Sequence, residues 1–284
     1  MADISSMNLD YERPVKIAED VWWVGFFDHD TGLHCNPYLI MDGGEAVVID
    51  GGSRPDFPTV MMKILQTGLD PASITALVYH HFDPDLCGSI PNFEEIIDRP
   101  DLLLISDAAN HMFIRHYSIS SRLVSLGELD HSFTFSSGRK LTFFNTPYAH
   151  STGSFVTFDE TSGVLFTSDL FGSYGLDWEL FITLSEQCRG CEDYDNCPNN
   201  REHCHLKDII GFHCAVMPSD SALRYAMEVI RDIPYRIIAP QHGSVIHAAN
   251  DIVYIRETLA ALSGVGIDGI LQKEKACVNG GKLS

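Results

Sequence analysis

The chain has 284 residues, of which 39 are acidic and 19 basic, and its formal net charge is −20 at pH 7. A surface that negative disfavours nucleic acids and anionic membranes as partners. Hydrophobic residues make up 45% of the chain, which at this length can bury a large core without disulfides and excludes wholesale disorder.

The longest apolar stretches, such as residues 21–27, fall well short of the roughly 20 residues of a membrane-spanning helix. The opening Met1-Ala2-Asp3-Ile4-Ser5-Ser6 has neither the basic nor the apolar region of a signal peptide. A cytoplasmic protein with no membrane or nucleic-acid partner is expected. In a reducing compartment its eight cysteines point to metals, redox chemistry or burial rather than disulfides.

In chain order, residues 36–41 and 45–50 predict two strands rich in Val, Ile and Tyr, joined by the turn signal Asp42-Gly43-Gly44. Apolar residues at helical spacing (Phe57, Val60, Met61, Ile64, Leu65) predict a helix over 56–67, capped by Gly68. A buried strand follows at 74–79. Further strands are predicted at 102–105, 140–145, 154–158, 164–167 and 236–239, and helices near 108–116, 221–231 and 252–262. The mixture is α/β throughout, with no repeat and no linker that would divide the chain. One compositional break stands out, the polar, cysteine-rich stretch 187–204.

The strand at 74–79 runs straight into His80-His81-Phe82-Asp83-Pro84-Asp85-Leu86-Cys87-Gly88-Ser89, a dense group of imidazoles and carboxylates. Three more ligand-type residues also follow predicted strands: His150 after 141–147, Asp169 after 165–168 and His242 after 237–241. Strand ends are where α/β architectures build their sites.

This order and setting resemble the metallo-β-lactamase superfamily, in which an H-x-[HED]-x-D-H segment is followed by a His, an Asp and a final His, each at a strand end. The resemblance spans about residues 20 to 262. Within it the chain is most similar to the di-iron domain of flavodiiron proteins and to the flavin-free, oxygen-binding di-iron proteins. The stretches that carry this are residues 83–91, beside that group's E-P-D-H-x-G-S-x-P, together with 166–172 and 240–243. The resemblance implies an αββα sandwich in a single domain over residues 1–284, with a Cys-rich insertion at 187–205 and a short C-terminal tail.

It also implies a ligand set. His81, Asp83 and His150 would hold one metal, Asp85 and His242 the second, with Asp169 bridging. Asp83 is the discriminating residue, because a carboxylate where zinc hydrolases have His favours iron or manganese over zinc. Two ferrous ions against three carboxylates leave a charge of +1, suited to an oxygen-derived anion. Two departures from the pattern bear on this set. Asp83 replaces the usual Glu, one methylene shorter. Leu86 replaces the last His of the motif, so the second metal must take water, an exogenous ligand or His80 instead, or the second site is weak or empty. His80 matches no family ligand and is expected beside the site rather than in it.

The insertion reads C-x2-C-x5-C-x6-C through Cys188, Cys191, Cys197 and Cys204, with His203 and His205 as competing ligands. Four such thiols suit zinc or an iron-sulfur cluster, and free or redox-active thiols are the alternative. Cys35, Cys87, Cys214 and Cys277 are expected to be buried or incidental, with Cys87 placed to tune the metal segment.

The function implied is binding or reduction of dioxygen at two iron ions, as sensor, carrier or scavenger. The alternative is a di-metal hydrolase of the phosphodiesterase kind, and an interaction module with a decayed site is a third reading. About 22 residues follow Leu262, too few for the flavodoxin-like domain that follows the di-iron domain of flavodiiron reductases. Expected partners are therefore dioxygen or another small diatomic ligand, an external electron donor or signalling protein, and a second copy of the chain.

Overall fold

The computed structural model describes residues 9–28, 30–191, 194, 197 and 203–280, the side chains of 275–280 excepted. The first sheet takes its strands in sequence order: β1 (Val15–Ala18), β2 (Val21–Trp23), β3 (Tyr38–Asp42), β4 (Glu45–Ile49), β5 (Ile74–Val78), β6 (Leu103–Ser106) and β7 (Arg122–Ser125). β1 to β4 pair antiparallel and β4 to β7 parallel. The β3–β4 turn is two residues long, and Gly43 and Gly44 both adopt positive φ (57° and 86°), the backbone that matches strand twist and that side-chain-bearing residues resist.

The second sheet comprises β8 (Ser132–Thr134), β9 (Lys140–Asn145), β10 (Phe155–Asp159), β11 (Val164–Phe166), β12 (Phe181–Ile182), β13 (Ile237–Ala239) and β14 (Val245–Ile246), in the order β12-β14-β13-β11-β10-β9-β8. The helices are α1 (Phe57–Gln66), α2 (Pro84–Cys87), α3 (Ile90–Ile97), α4 (Ala108–Ile114), α5 (His205–Val216), α6 (Asp220–Ile230), α7 (Ala249–Ala261) and α8 (Ile267–Gly280).

Strand alternation sorts the apolar residues into three layers. Val47, Ile49, Ala76 and Val78 of the first sheet meet Phe143, Phe155, Phe166 and Ala239 of the second between the sheets. Their neighbours Ala46, Val48 and Leu77 face outward onto Val60 and Ile64 of α1 and Phe93 of α3. Val156, Leu165 and Ile238 face the other way, onto Phe212 of α5, Met227 of α6 and Ile255 of α7. The result is an αββα sandwich, the fold expected from sequence. Among the described residues no helix is long and apolar enough to cross a membrane.

Candidate metal centre

Five loops that leave strands, or lead into them, meet at one edge of the sandwich: 24–37 between β2 and β3, 79–83 after β5, 146–154 between β9 and β10, 167–172 after β11 and 240–244 after β13. On one side Asp83 Oδ2 lies 2.8 Å from His150 Nε2 and 3.6 Å from His81 Nε2, and the two imidazoles stand edge to face with centroids 5.1 Å apart. On the other side Asp85 Oδ2 lies 3.2 Å from His242 Nε2. Asp169 stands between them, with Oδ2 3.7 Å from His150 Nδ1 and Oδ1 3.7 Å from His242 Nε2. All six residues singled out in the sequence are thus brought together. Ligand atoms of His81, His150 and Asp169 lie within 4.8 Å of one another, as do those of His81, Asp83 and Asp85.

The backbone is bent to present these groups. His150 and Ser168, the residue before Asp169, adopt positive φ (79° and 54°), uncommon for side-chain-bearing residues and found where structure over-determines a site. The Asp169 turn is held by Leu170 N–H to Thr167 O (3.1 Å), Gly172 N–H to Asp169 O (3.0 Å) and Gln241 N–H to Ser168 O (2.8 Å). Phe171 N–H donates to Nε2 of buried His213 on α5 (3.0 Å). After His242, Gly243 takes φ 80°, and a Cβ there would collide with Ser173.

Supporting hydrogen bonds fix the ligand rings as well. His242 Nδ1–H donates to His34 O (2.9 Å), which turns Nε2 toward Asp85 and Asp169. Ser168 Oγ lies 2.9 Å from His81 Nδ1, and Gln241 Nε2 donates to Asp85 Oδ2 (2.8 Å). His80, by contrast, faces the layer between the sheets. Its Nδ1 is 2.6 Å from Asp50 Oδ2 and its Nε2 2.8 Å from Thr157 Oγ1, so both ring nitrogens are engaged away from the cluster.

Electrostatically the cluster is a knot of carboxylates and imidazoles. Burial works against a charged His150, yet its bond to Asp83 and the nearby Asp169 carboxylate carry it up to about 9. His242 is raised well above its ordinary value, because Asp85 and Cys35 outweigh the same burial. The His150 hydrogen bond pulls Asp83 down despite burial, and Asp85 is lowered because His242 and His81 more than offset its burial. His150 and His242 therefore supply positive charge where a cation would. Asp169 Oδ1 is buried and has no hydrogen-bond partner among the described residues. An orphaned carboxylate oxygen is costly in a protein interior and is satisfied by a bound cation. The donor set, three imidazoles with three carboxylates, fits a pair of divalent ions of intermediate hardness.

Cys35 was set aside in the sequence as buried or incidental. It is buried, and its sulfur falls within 4.8 Å of the ligand atoms of Asp85 and His242. Burial pushes its thiol up, opposed by the adjacent His242. No spacing rule could have found it, since its loop reaches the site only through tertiary contacts. Cys87 Sγ–H donates to His81 O (3.4 Å), and Leu86 is fully buried among Val48, Ile64, Leu77 and Phe93.

In the insertion, residues 192, 193, 195, 196 and 198–202 lie outside the described residues. Arg189 ties its first half to α7 through an ion pair with buried Asp251 (2.6 Å), and it also donates to Leu184 O (2.8 Å) just before the insertion. The donor group formed here by described residues is His203, His205 and Asp208, with His203 Nε2 2.7 Å from Asp208 Oδ2. The four cysteines do not form such a group among the described residues.

An αββα sandwich with paired His and Asp donors at one edge defines the class as a metallo-β-lactamase-like protein. The chain belongs to the ODP family beta lactamase, whose profile matches residues 33–243. It is 25% identical over 271 residues to the type A flavoprotein fprA of Rhodobacter capsulatus, covering 87% of this chain and 56% of the relative. The chain thus spans about half the length of that curated relative. Its fold superposes with a TM-score of 0.70 on the chemotaxis sensor ODP, solved as a peroxy diiron species (23% identity, 91% of this chain and 98% of the other). The rubredoxin oxygen:oxidoreductase of Desulfovibrio gigas gives a TM-score of 0.72 at 19% identity, covering 87% of this chain and 61% of the other. These two likenesses show a shared fold.

Proposed function

We propose that this chain, as a single domain, holds two iron ions and binds or reduces dioxygen there, with His81, Asp83 and His150 on one ion, Asp85 and His242 on the other, and Asp169 serving both. The observation that carries the reading is Asp169: one buried carboxylate turns an oxygen to each half of the donor set, and the oxygen facing His242 has no hydrogen-bond partner among the described residues. Family membership and the diiron sensor and oxygen:oxidoreductase among the fold's neighbours support the choice of iron and of dioxygen.

When bound, two ferrous ions supply the electrons that dioxygen accepts. The chain's own residues orient the donors. His34 O and Ser168 Oγ hold the His242 and His81 rings, and Gln241 holds Asp85, so the donor atoms face inward before any ion arrives. Family membership and likeness to the chemotaxis sensor ODP support a binding and signalling role, with an external electron donor or signalling protein as partner. We also propose a separate zinc or iron-sulfur centre at Cys188, Cys191, Cys197 and Cys204. Its support is the polar character of the segment and the half-buried placement of these residues.

The experiment is anaerobic loading with ferrous iron, metal analysis, and optical spectra before and after air. Two irons per chain and a spectral change on air are expected. Inertness to air, with phosphodiester hydrolysis when zinc or manganese is bound, would give the hydrolase reading instead.

A further inference from the structure

The family-like motif supplies the second half of the centre with only Asp85, His242 and the shared Asp169, because Leu86 stands at the position of its last imidazole and is packed into the apolar layer under α1 and α3. The structure places another donor on that same side. Cys35 is 5% exposed, and its sulfur lies within 4.8 Å of the donor atoms of both Asp85 and His242.

Its position is held by both of its neighbours. Before it, His34 O accepts the Nδ1–H of His242 (2.9 Å). After it, Asn36 is bonded to the loop that carries His242 at three points: its backbone N–H donates to Gln241 O (2.8 Å), and its side-chain amide donates to Pro240 O (3.1 Å) and Gly243 O (2.8 Å). Trp23 Nε1–H in turn donates to Asn36 Oδ1 (2.8 Å), which fixes the orientation of that amide. Both residues that flank Cys35 are thus bonded to the loop that carries His242.

Resting on the two-metal reading, we propose that Cys35 is a thiolate ligand of the second metal, completing with Asp85 and His242 the set that Leu86 leaves short. The charge is consistent. Two divalent ions bring +4 and the three carboxylates −3, and a thiolate supplies the remaining −1, so that the buried site becomes neutral. Ligation releases the thiol proton to solvent, and no oxidation is involved. A thiolate also makes the second half softer than the first, so the two positions differ in the metals they prefer.

The test uses the full chain loaded anaerobically with cobalt(II) alone. Thiolate ligation gives an intense near-ultraviolet sulfur-to-cobalt charge-transfer band that nitrogen and oxygen donors do not. The band is expected in the difference between wild type and Cys35→Ser, whatever the insertion binds. It should persist when Cys188, Cys191, Cys197 and Cys204 are all replaced by Ser. In Cys35→Ser the second ion should bind at least about tenfold more weakly while the first is retained. Two bound ions in both proteins, equal affinities and no difference band would overturn the thiolate assignment alone. Failure of wild type to take up two ions at any site that Asp169→Asn weakens would overturn the two-metal reading, and the Cys35 assignment with it.

Discussion

His213 sits outside the donor set, yet the structure gives it a measurable hold on the Asp169 turn. It is fully buried on α5. Its Nδ1–H donates to Ile209 O (2.7 Å) and its Nε2 accepts the Phe171 N–H (3.0 Å), a pattern only the neutral ring can satisfy. Burial, only partly opposed by the Ile209 carbonyl and Asp169, lowers it from 6.5 to about 4. Above pH 6.5 the ring is neutral in folded and unfolded chains, and its contribution is complete. As pH falls, the unfolded chain takes up the proton first, and stability is lost until the folded chain is protonated near pH 4. That interval corresponds to about 3 kcal/mol, of which roughly 2.5 kcal/mol is gone by pH 4.5. In metal-free His213→Leu the loss takes a different form. At pH 7 the variant should be about 1–3 kcal/mol less stable, because the Phe171 N–H has no acceptor. At pH 4.5 the gap to wild type should close or reverse, because only wild type carries the protonation cost. Urea denaturation of chelator-treated protein at the two pH values measures this directly. An equal gap at pH 7 and pH 4.5 would refute the assignment of a neutral, accepting imidazole.

Asp169→Asn should weaken both ions together, whereas Asp85→Asn should mainly affect one, and metal analysis after dialysis distinguishes the two patterns. Arg139→Ala should destabilise the chain by about 3–5 kcal/mol in chemical denaturation, since it strands Asp159 without its ion-pair partner where the two side chains are 3% and 0% exposed. Leu86→His should cost the metal-free chain about 1–3 kcal/mol by the same assay, because it places an imidazole among Val48, Ile64 and Phe93. Cys188→Ser with Cys191→Ser should lower total metal content by the insertion's share and leave the iron at His81, Asp83 and His150 in place; unchanged metal with all thiols titratable in both proteins would refute an insertion centre.

The layers of the fold were legible because β3, β4, β5, β9, β10 and α1 carry enough residues for period-2 or helical patterning to stand out. β12 and β14 were not, since two-residue strands have no period and exist through pairing with each other and with β13. α5 was hidden because its apolar residues Leu206, Ile209 and Phe212 emerge directly from the polar insertion, where composition masks periodicity. The six His and Asp donors could be read because each follows a strand, and a strand end fixes where the next few residues must lie. Donors on irregular backbone lack that anchor. Cys35 lies at the end of the long β2–β3 loop and reaches Asp85 and His242 through the hydrogen bonds of His34 and Asn36 to another segment, which no local pattern records. The short helix α2 was missed for a related reason: a one-turn helix such as Pro84–Cys87 is set by the Asp83–Pro84 start and by packing, not by an amphipathic repeat.

Leu86 and Cys35 are best understood as one change in the division of labour around the centre. α2 presents one inward donor and two core residues: Asp85 turns to His242, while Leu86 and Cys87 are fully buried in the layer beneath α1 and α3. An imidazole at 86 would need a polar partner or a metal to offset its burial there. A leucine packs without either, so the helix is stable before any ion arrives. The ligand that α2 gives up is regained from the β2–β3 loop, which is already fastened to the His242 loop by Asn36 and Tyr38, whose hydroxyl donates to Pro240 O (2.7 Å). Because those bonds are made by groups that do not touch a metal, the sulfur of Cys35 is held beside Asp85 and His242 in the metal-free chain. On the proposed ligand set each half of the centre is positioned by its own hydrogen bonds, and Asp169 is the residue through which loss of one ion would be felt at the other.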